Sequence, residues 1–130
     1  MIAFFDACAV IYRVESVEPW LTKLKAALKK LHAGKPDIAV SRLSFLECRV
    51  LPLRKKQAET LAFYRDFFSS PGLRVVELEP AIVDRATMIR AETNLGTPDA
   101  LQAASALSLP GDVLFITNDE KEGKVVWKAP

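Results

Sequence analysis

Four carboxylates stand out in this sequence because each lies at or near the end of a predicted strand or helix. They are Asp6, Glu47, Asp99 and Asp119. The first and the last follow apolar runs that are typical of buried strands, and the other two lie on predicted helices. Because the carboxyl ends of parallel strands meet at one edge of a sheet, we expect the four side chains to converge there.

Carboxylates gathered in one place repel each other unless a positive charge lies between them. Mg²⁺ and Mn²⁺ are hard cations that prefer such oxygen ligands, so a site for one of them is predicted. These ions activate a water molecule and stabilise charge on a phosphodiester undergoing displacement. Neither a nucleophilic serine nor a catalytic histidine is needed, and we interpret the single histidine, His32, as a solvated residue at a helix end.

Each acid also has an ordinary structural interpretation. Asp6 can end a strand in a turn, and Asp119 can belong to a turn of its own. Asp99 suits the first turn of a helix without any metal. Glu47 can close a capping box with Ser44, which is the favoured interpretation when that residue is taken alone. The placement shared by all four acids is what favours a metal site.

Strands and helices alternate along the chain and must position these acids. Apolar runs predict strands at Met1–Phe5, Asp37–Val40, Leu73–Leu78 and Val113–Thr117, with a short fifth at Val125–Trp127. Helical spacing and boundary residues predict helices at Pro19–His32, Ser41–Leu51, Lys55–Phe68, Pro80–Thr93 and Asp99–Leu107. Pro52 is expected to end the second helix, and Thr97 to cap the last one. The alternation predicts an α/β fold, a three-layer α/β/α sandwich with a central parallel sheet.

The composition is that of a protein with a substantial core. The 130 residues fit a single domain, residues 1–130, and half of them are hydrophobic. A net charge of +2 does not by itself indicate nucleic-acid binding. The basic clusters at 23–30 and 54–56 are interpreted as solvated helix faces, with a track for an RNA backbone as the alternative.

The cysteines and the apolar runs favour a soluble cytoplasmic protein. Cys8 and Cys48 form neither a disulfide framework nor a paired metal-binding spacing, which suits a reducing compartment. The N-terminal apolar run lacks a basic leader, and no run is long enough to span a membrane.

Four blocks, taken in order, resemble the successive motifs of the PIN-domain ribonuclease family. They are Phe4–Val10 (FFDACAV), Ser44–Glu47 (SFLE), Thr97–Ala104 (TPDALQAA) and Phe115–Asp119 (FITND). The resemblance extends from Ile2 to about Lys121 and is closest to the VapC-like toxins of type II toxin–antitoxin systems. The block around Asp99 is the most specific of the four.

The resemblance implies a Mg²⁺- or Mn²⁺-dependent endoribonuclease whose metal-binding and catalytic residues are Asp6, Glu47, Asp99 and Asp119. It also implies that Thr117 supports the acidic cluster by hydrogen bonding. Cys8 stands where the family commonly has a small polar residue, and a thiol is a poorer hydrogen-bond donor. We therefore expect weaker support for Asp6 from that position.

The resemblance further implies an RNA substrate, a homodimer and a cognate antitoxin whose C-terminal segment enters the active-site groove. One predicted helix carries more apolar side chains than a single core-facing stripe uses, so part of it is a candidate interface. The apolar side chains of this helix are Leu61, Phe63, Tyr64, Phe67 and Phe68. The alternative for this helix is complete burial.

Two other functions compete with a nuclease. A catalytically inactive PIN-like module that binds RNA or protein is disfavoured, because an unused site has no reason to keep a negative cluster. A phosphatase of the haloacid-dehalogenase type needs a second aspartate two residues after Asp6, and Cys8 occupies that position.

Overall fold

The computed structural model describes residues 1–30, 36–119 and 124–128, of which 118–119 and 124–128 are described by their backbone only. His32 lies outside the described residues. The elements run in the order β1 (Ile2–Phe5), α1 (Ala7–Glu15), α2 (Trp20–Lys30), β2 (Asp37–Ser41), α3 (Arg42–Arg54), α4 (Ala58–Phe68), β3 (Arg74–Val76), α5 (Pro80–Glu92), α6 (Thr97–Leu107), β4 (Val113–Asp119) and β5 (Lys124–Lys128).

The sheet has the strand order β3-β2-β1-β4-β5. The first four strands are parallel, and β5 pairs with β4 in the antiparallel direction. A crossover to a parallel strand needs about a dozen residues or more, and the connection between β4 and β5 is much shorter. At the carboxyl end of β1, Phe5 lies opposite both Val40 and Ile116, so these three strands end at the same edge.

Helices cover both faces of the sheet because the central strands are apolar on both sides. Ala3 and Phe5 of β1 pack into a cluster that contains buried residues of α1 to α4. Ile2 and Phe4 face the opposite side and pack in a cluster with Ala106 of α6. A third cluster joins α5 to α6. The predicted α/β/α fold with a central parallel sheet is confirmed.

Helix α1 was not among the predicted elements, and it directly follows Asp6. The Asp6 side chain caps this helix, because its Oδ1 accepts a hydrogen bond of 2.9 Å from the Ala9 N–H. The αL residue Ser16 ends the helix. An aspartate that precedes the apolar segment Ala7–Ile11 is a helix-start signal that the sequence did contain.

Three predicted helix boundaries were wrong. The helix predicted from Lys55 begins at Ala58, and Lys55 is instead the C-cap of α3. Pro52 does not end α3, which continues to Arg54 with Pro52 buried inside it. A proline removes one N–H from the helix, and the Lys55 N–H still reaches the Leu51 carbonyl at 3.0 Å. Thr97 is the first helical residue and not the cap of α6, whose N-cap is Gly96.

No helix in the described part of the chain is long and apolar enough to cross a membrane.

Candidate active site

Asp6 lies where β1 gives way to α1, at the carboxyl edge of the sheet. Its N–H donates to the Ile116 carbonyl at 3.1 Å, which extends the pairing of β1 with β4 by one residue. Its Oδ1 accepts from the Ala9 N–H, and its Oδ2 accepts from the Thr117 hydroxyl. Both carboxylate oxygens are therefore held, one by a helix and the other by a strand.

The electrostatics of Asp6 show which acids surround it. Burial raises the pKa of Asp6 from 3.8 to about 6, the hydrogen bonds from Thr117 and Ala9 oppose that rise, and the charges of Asp99 and Glu47 add to it. The structure thus brings Glu47 and Asp99 within electrostatic reach of Asp6.

Glu47 reaches this region from α3, and the capping-box interpretation of it was wrong. The helix begins at Arg42, and Ser41 caps it by accepting from the Leu43 N–H at 3.1 Å. Glu47 is therefore in the second turn, too far from the helix start to cap it. Its Oε1 instead accepts a hydrogen bond of 3.0 Å from Nε2 of Gln102.

The sequence interpretation missed Gln102 as the hydrogen-bond partner of Glu47. It lies on α6, three residues after Asp99, and is 3% exposed. The available signal was a long polar side chain within the alanine-rich run DALQAASAL, at helical spacing from an acid. That signal indicates a buried polar contact without naming its partner.

Asp99 lies in the first turn of α6 and is exposed. Arg90 holds the turn that leads into this helix, because its Nε donates to the Leu95 carbonyl at 3.1 Å and its Nη1 to Thr97 Oγ1 at 2.9 Å. The segment that leads into α6, and so the position of Asp99, is therefore held by hydrogen bonds from α5.

Asp119 is the last residue of β4, where the backbone pairs it with Lys124 of β5. The alternative of an ordinary turn at this position was wrong, because Asp119 is still a strand residue and is paired with β5. The Asp119 side chain is not among those described, so its place in the acidic cluster stays a prediction.

The two cysteines differ in their surroundings, and neither forms a disulfide. Cys48 is buried in the main core cluster, and that burial raises the pKa of its thiol. Its Sγ donates to the Ala7 carbonyl at 3.7 Å. Cys8 is exposed on α1, and its predicted support of Asp6 remains a prediction.

The donor set fits a hard divalent cation. Among the described side chains, no three acids, cysteines or histidines form a ready metal cluster, and Asp119 lies outside that set. The neighbours that raise the pKa of Asp6 are both carboxylates, and a cation between such groups would relieve their repulsion. Oxygen ligands of this kind suit Mg²⁺ or Mn²⁺.

Comparison with known proteins agrees with this fold. The family model of the PIN domain matches residues 3–127. No curated protein matches the chain.

Solved structures similar to this one include three from toxin systems. A toxin–antitoxin complex from Klebsiella pneumoniae matches at 23% identity and a TM-score of 0.65, over 92% of this chain and 88% of that one. VapBC2 from Rickettsia felis, bound to a DNA fragment from its promoter, matches at 19% identity and a TM-score of 0.68. The match covers 93% of this chain and 90% of that one. VapC20 from Mycobacterium tuberculosis, described as a Sarcin-Ricin loop cleaving toxin, matches at 16% and 0.64, over 82% of each chain. At these identities the likeness concerns the fold.

Proposed function

The chain belongs to the PIN-domain family, and from that premise we propose that it is a metal-dependent endoribonuclease and the toxin of a toxin–antitoxin pair. The observation that carries the proposal is the placement of Asp6 at the carboxyl edge of the sheet, with Glu47 and Asp99 close enough to raise its pKa. The similarity to a toxin that cleaves the Sarcin-Ricin loop supports RNA as the substrate.

In this proposal Asp6, Asp99 and Asp119 hold Mg²⁺ or Mn²⁺, and Glu47 binds the ion or orients the attacking water. The ion, when bound, supplies an activated water and stabilises the charge that develops on the phosphodiester. Thr117 and the Ala9 N–H keep Asp6 ionised and fix its orientation, since both donate to its carboxylate. Helix α6 contributes Asp99 at the end of its dipole that favours an anion.

The decisive experiment is cleavage of a total RNA pool by purified protein with Mg²⁺, with Mn²⁺ and with EDTA. Asp99→Asn should abolish cleavage and leave the fold intact. Asp84→Asn is a matched control, because Asp84 is an exposed aspartate of α5. Normal cleavage by Asp99→Asn would show that the site is wrong. A folded, antitoxin-free wild type that cleaves nothing under any condition would favour the alternative of a non-catalytic binding module.

The antitoxin is proposed to contact an open groove of about 580 Å³ between α3 and α4. Its walls are largely apolar, and Arg49 and Arg65 are among its lining residues. The ring of Phe45 stacks on Phe68 with centroids 3.9 Å apart, and both rings line the groove. This combination fits a peptide segment with apolar anchors and acidic neighbours. The similarity to solved toxin–antitoxin complexes supports such a partner.

Leu53→Glu tests the groove, because Leu53 lines it and is 61% exposed. We expect weaker binding of the purified cognate antitoxin, measured by calorimetry. Met88→Glu is the control, since Met88 is similarly exposed at 62% but lies on α5, across the sheet from the groove. Equal binding by wild type and Leu53→Glu would exclude the groove.

The homodimer and the cytoplasmic location remain proposals. Exposed Phe63 of α4, which is on the helix with surplus apolar side chains, is a candidate contact of a second copy. Sedimentation at micromolar concentration measures the mass directly, and a monomeric mass would count against the dimer. Neither Cys8 nor Cys48 forms a disulfide, as expected in a reducing compartment.

A further inference from the structure

Gln102 joins the two helices that carry Glu47 and Asp99. Its Nε2 donates two hydrogen bonds, one to Glu47 Oε1 and the other to Ser44 Oγ, each of 3.0 Å. Ser44 is fully buried, and Gln102 is 3% exposed. The amide therefore links α6 to α3 from a buried position, and its bond to Glu47 is partly buried.

The other end of this amide has no hydrogen-bond partner. Gln102 Oε1 is buried and unpaired within the described part of the chain. A buried acceptor left unsatisfied costs about 1–3 kcal/mol. Rotating the amide by half a turn would place Oε1 against the Glu47 carboxylate, and two acceptors repel each other. The observed orientation keeps the N–H group on Glu47 and leaves Oε1 without a partner.

Helix packing alone does not account for a glutamine at this position. The neighbouring buried positions of α6, Ala100 and Ala104, pack with no polar atoms in their side chains. An apolar side chain at position 102 would satisfy the same packing without an orphaned oxygen. The feature that distinguishes glutamine is the hydrogen bond to Glu47.

We propose that Gln102 is a positioning residue that fixes the Glu47 carboxylate in the orientation that receives the divalent cation, and thereby sets the affinity for that cation. This inference rests on the proposed function. Groups that hydrogen-bond to metal ligands orient them, and their removal typically costs about 10–100-fold in metal affinity or activity.

The test compares Gln102→Met with the wild type in metal-free protein. Mn²⁺ affinity is measured by water-proton relaxation, and RNA cleavage is measured separately over a range of Mn²⁺ concentrations. We expect Gln102→Met to bind Mn²⁺ roughly 10–100-fold more weakly, with cleavage partly restored at high Mn²⁺. Ser105→Ala is the matched control, because Ser105 is a buried polar residue of α6 that donates only to its own helix, at Leu101. This control should bind Mn²⁺ as the wild type does.

A double-mutant cycle separates positioning from general damage. In a Glu47→Gln background, Gln102→Met should weaken Mn²⁺ binding little further, because the carboxylate that it positions is gone. An equal loss in both backgrounds, or wild-type affinity in Gln102→Met, would overturn the inference. If Gln102→Met fails to fold by circular dichroism, Gln102→Leu removes the same donor and is measured instead. A wild type that neither binds Mn²⁺ nor cleaves RNA would refute the proposed function itself.

Discussion

Two carboxylates of the candidate site, Asp6 and Glu47, are held in different ways. The Asp6 carboxylate accepts hydrogen bonds from the Ala9 N–H, three residues along the chain, and from the Thr117 hydroxyl of the neighbouring strand β4. Glu47 is held by the amide of Gln102, which comes from a helix more than fifty residues away in sequence. The first arrangement depends on a helix cap and a strand register, and the second on the packing of α3 against α6.

This difference affects both stability and function. Burial, and to a smaller extent the neighbouring acids, raise the pKa of Asp6 in spite of its two donors, so on the strand side of the site the ionised carboxylate is disfavoured. On the helix side, the cost is the unpaired Oε1 of Gln102. The two halves should therefore respond differently to substitution, to pH and to cations.

The largest effect is expected at Asp6. Asp6→Asn should lower cleavage by roughly 10³-fold or more, because a lost carboxylate ligand removes several kcal/mol of transition-state stabilisation. Asparagine caps helices as well as aspartate does, so α1 should remain folded. Single-turnover cleavage of labelled RNA and circular dichroism measure the two properties. Unchanged cleavage would remove Asp6 from the catalytic site.

Thr117→Val is expected to have the next largest effect. Loss of the hydroxyl removes a donor that lowers the pKa of Asp6, so that pKa should rise further. Cleavage should fall by roughly 10–100-fold, most strongly at low pH. Thr117→Ser keeps the hydroxyl and should restore both the pKa of Asp6 and the cleavage rate to their wild-type values. A pH–rate profile of Thr117→Val that superimposes on the wild-type profile would contradict this role.

The stability of the metal-free protein should depend on pH through Asp6. Its folded pKa of about 6 lies above the ordinary value of 3.8, so the folded state binds this proton more tightly than the unfolded chain. The resulting stabilisation is complete below pH 3.8 and is lost as the pH rises through about 6. At pH 7 the loss is at most ~3 kcal/mol, at ~1.4 kcal/mol per pH unit of pKa difference.

Asp6→Asn tests this dependence because it removes the charge and keeps the cap. In the absence of metal, the variant should exceed the wild type in free energy of unfolding at pH 7, and the difference should shrink at pH 4. Urea denaturation at both pH values measures it. A wild type that is the more stable protein at pH 7 would show that burial of the ionised Asp6 carboxylate costs little free energy. Added Mg²⁺ should stabilise the wild type more than the variant.

The smallest effect is expected at Ser41, the N-cap of the helix α3 that carries Glu47. Ser41→Ala removes the side-chain acceptor of the Leu43 N–H at the start of α3, and the free energy of unfolding should fall by about 1 kcal/mol. Ser41→Gly should cost only a few tenths of a kcal/mol, since glycine is tolerated at caps. Cleavage should change little in either variant, because Gln102 still holds Glu47. A large loss of cleavage in Ser41→Ala would show that the cap also positions Glu47.

The sequence contained enough to predict the strands, most of the helices and the layer order. Alternating apolar runs and helical stripes report burial directly, and burial decides these elements. The sequence predicted the ends of elements less reliably. Helix α1 was missed, Pro52 lies inside α3, and Gly96 caps α6 in place of Thr97. These boundaries depend on which of several acceptable hydrogen bonds forms, and neighbouring residues offer more than one.

What the sequence by itself determined is the placement of Asp6 at the sheet edge, because a strand end followed by an acid is readable from the chain. The partner of Glu47 was decided only by the tertiary structure. Taken alone, Ser44 and Glu47 matched a capping box, but α3 begins at Arg42, so both residues lie inside the helix, on the side toward α6. There Gln102 meets them. Such a contact depends on the rotation and spacing of two packed helices, which a pattern along one chain does not specify.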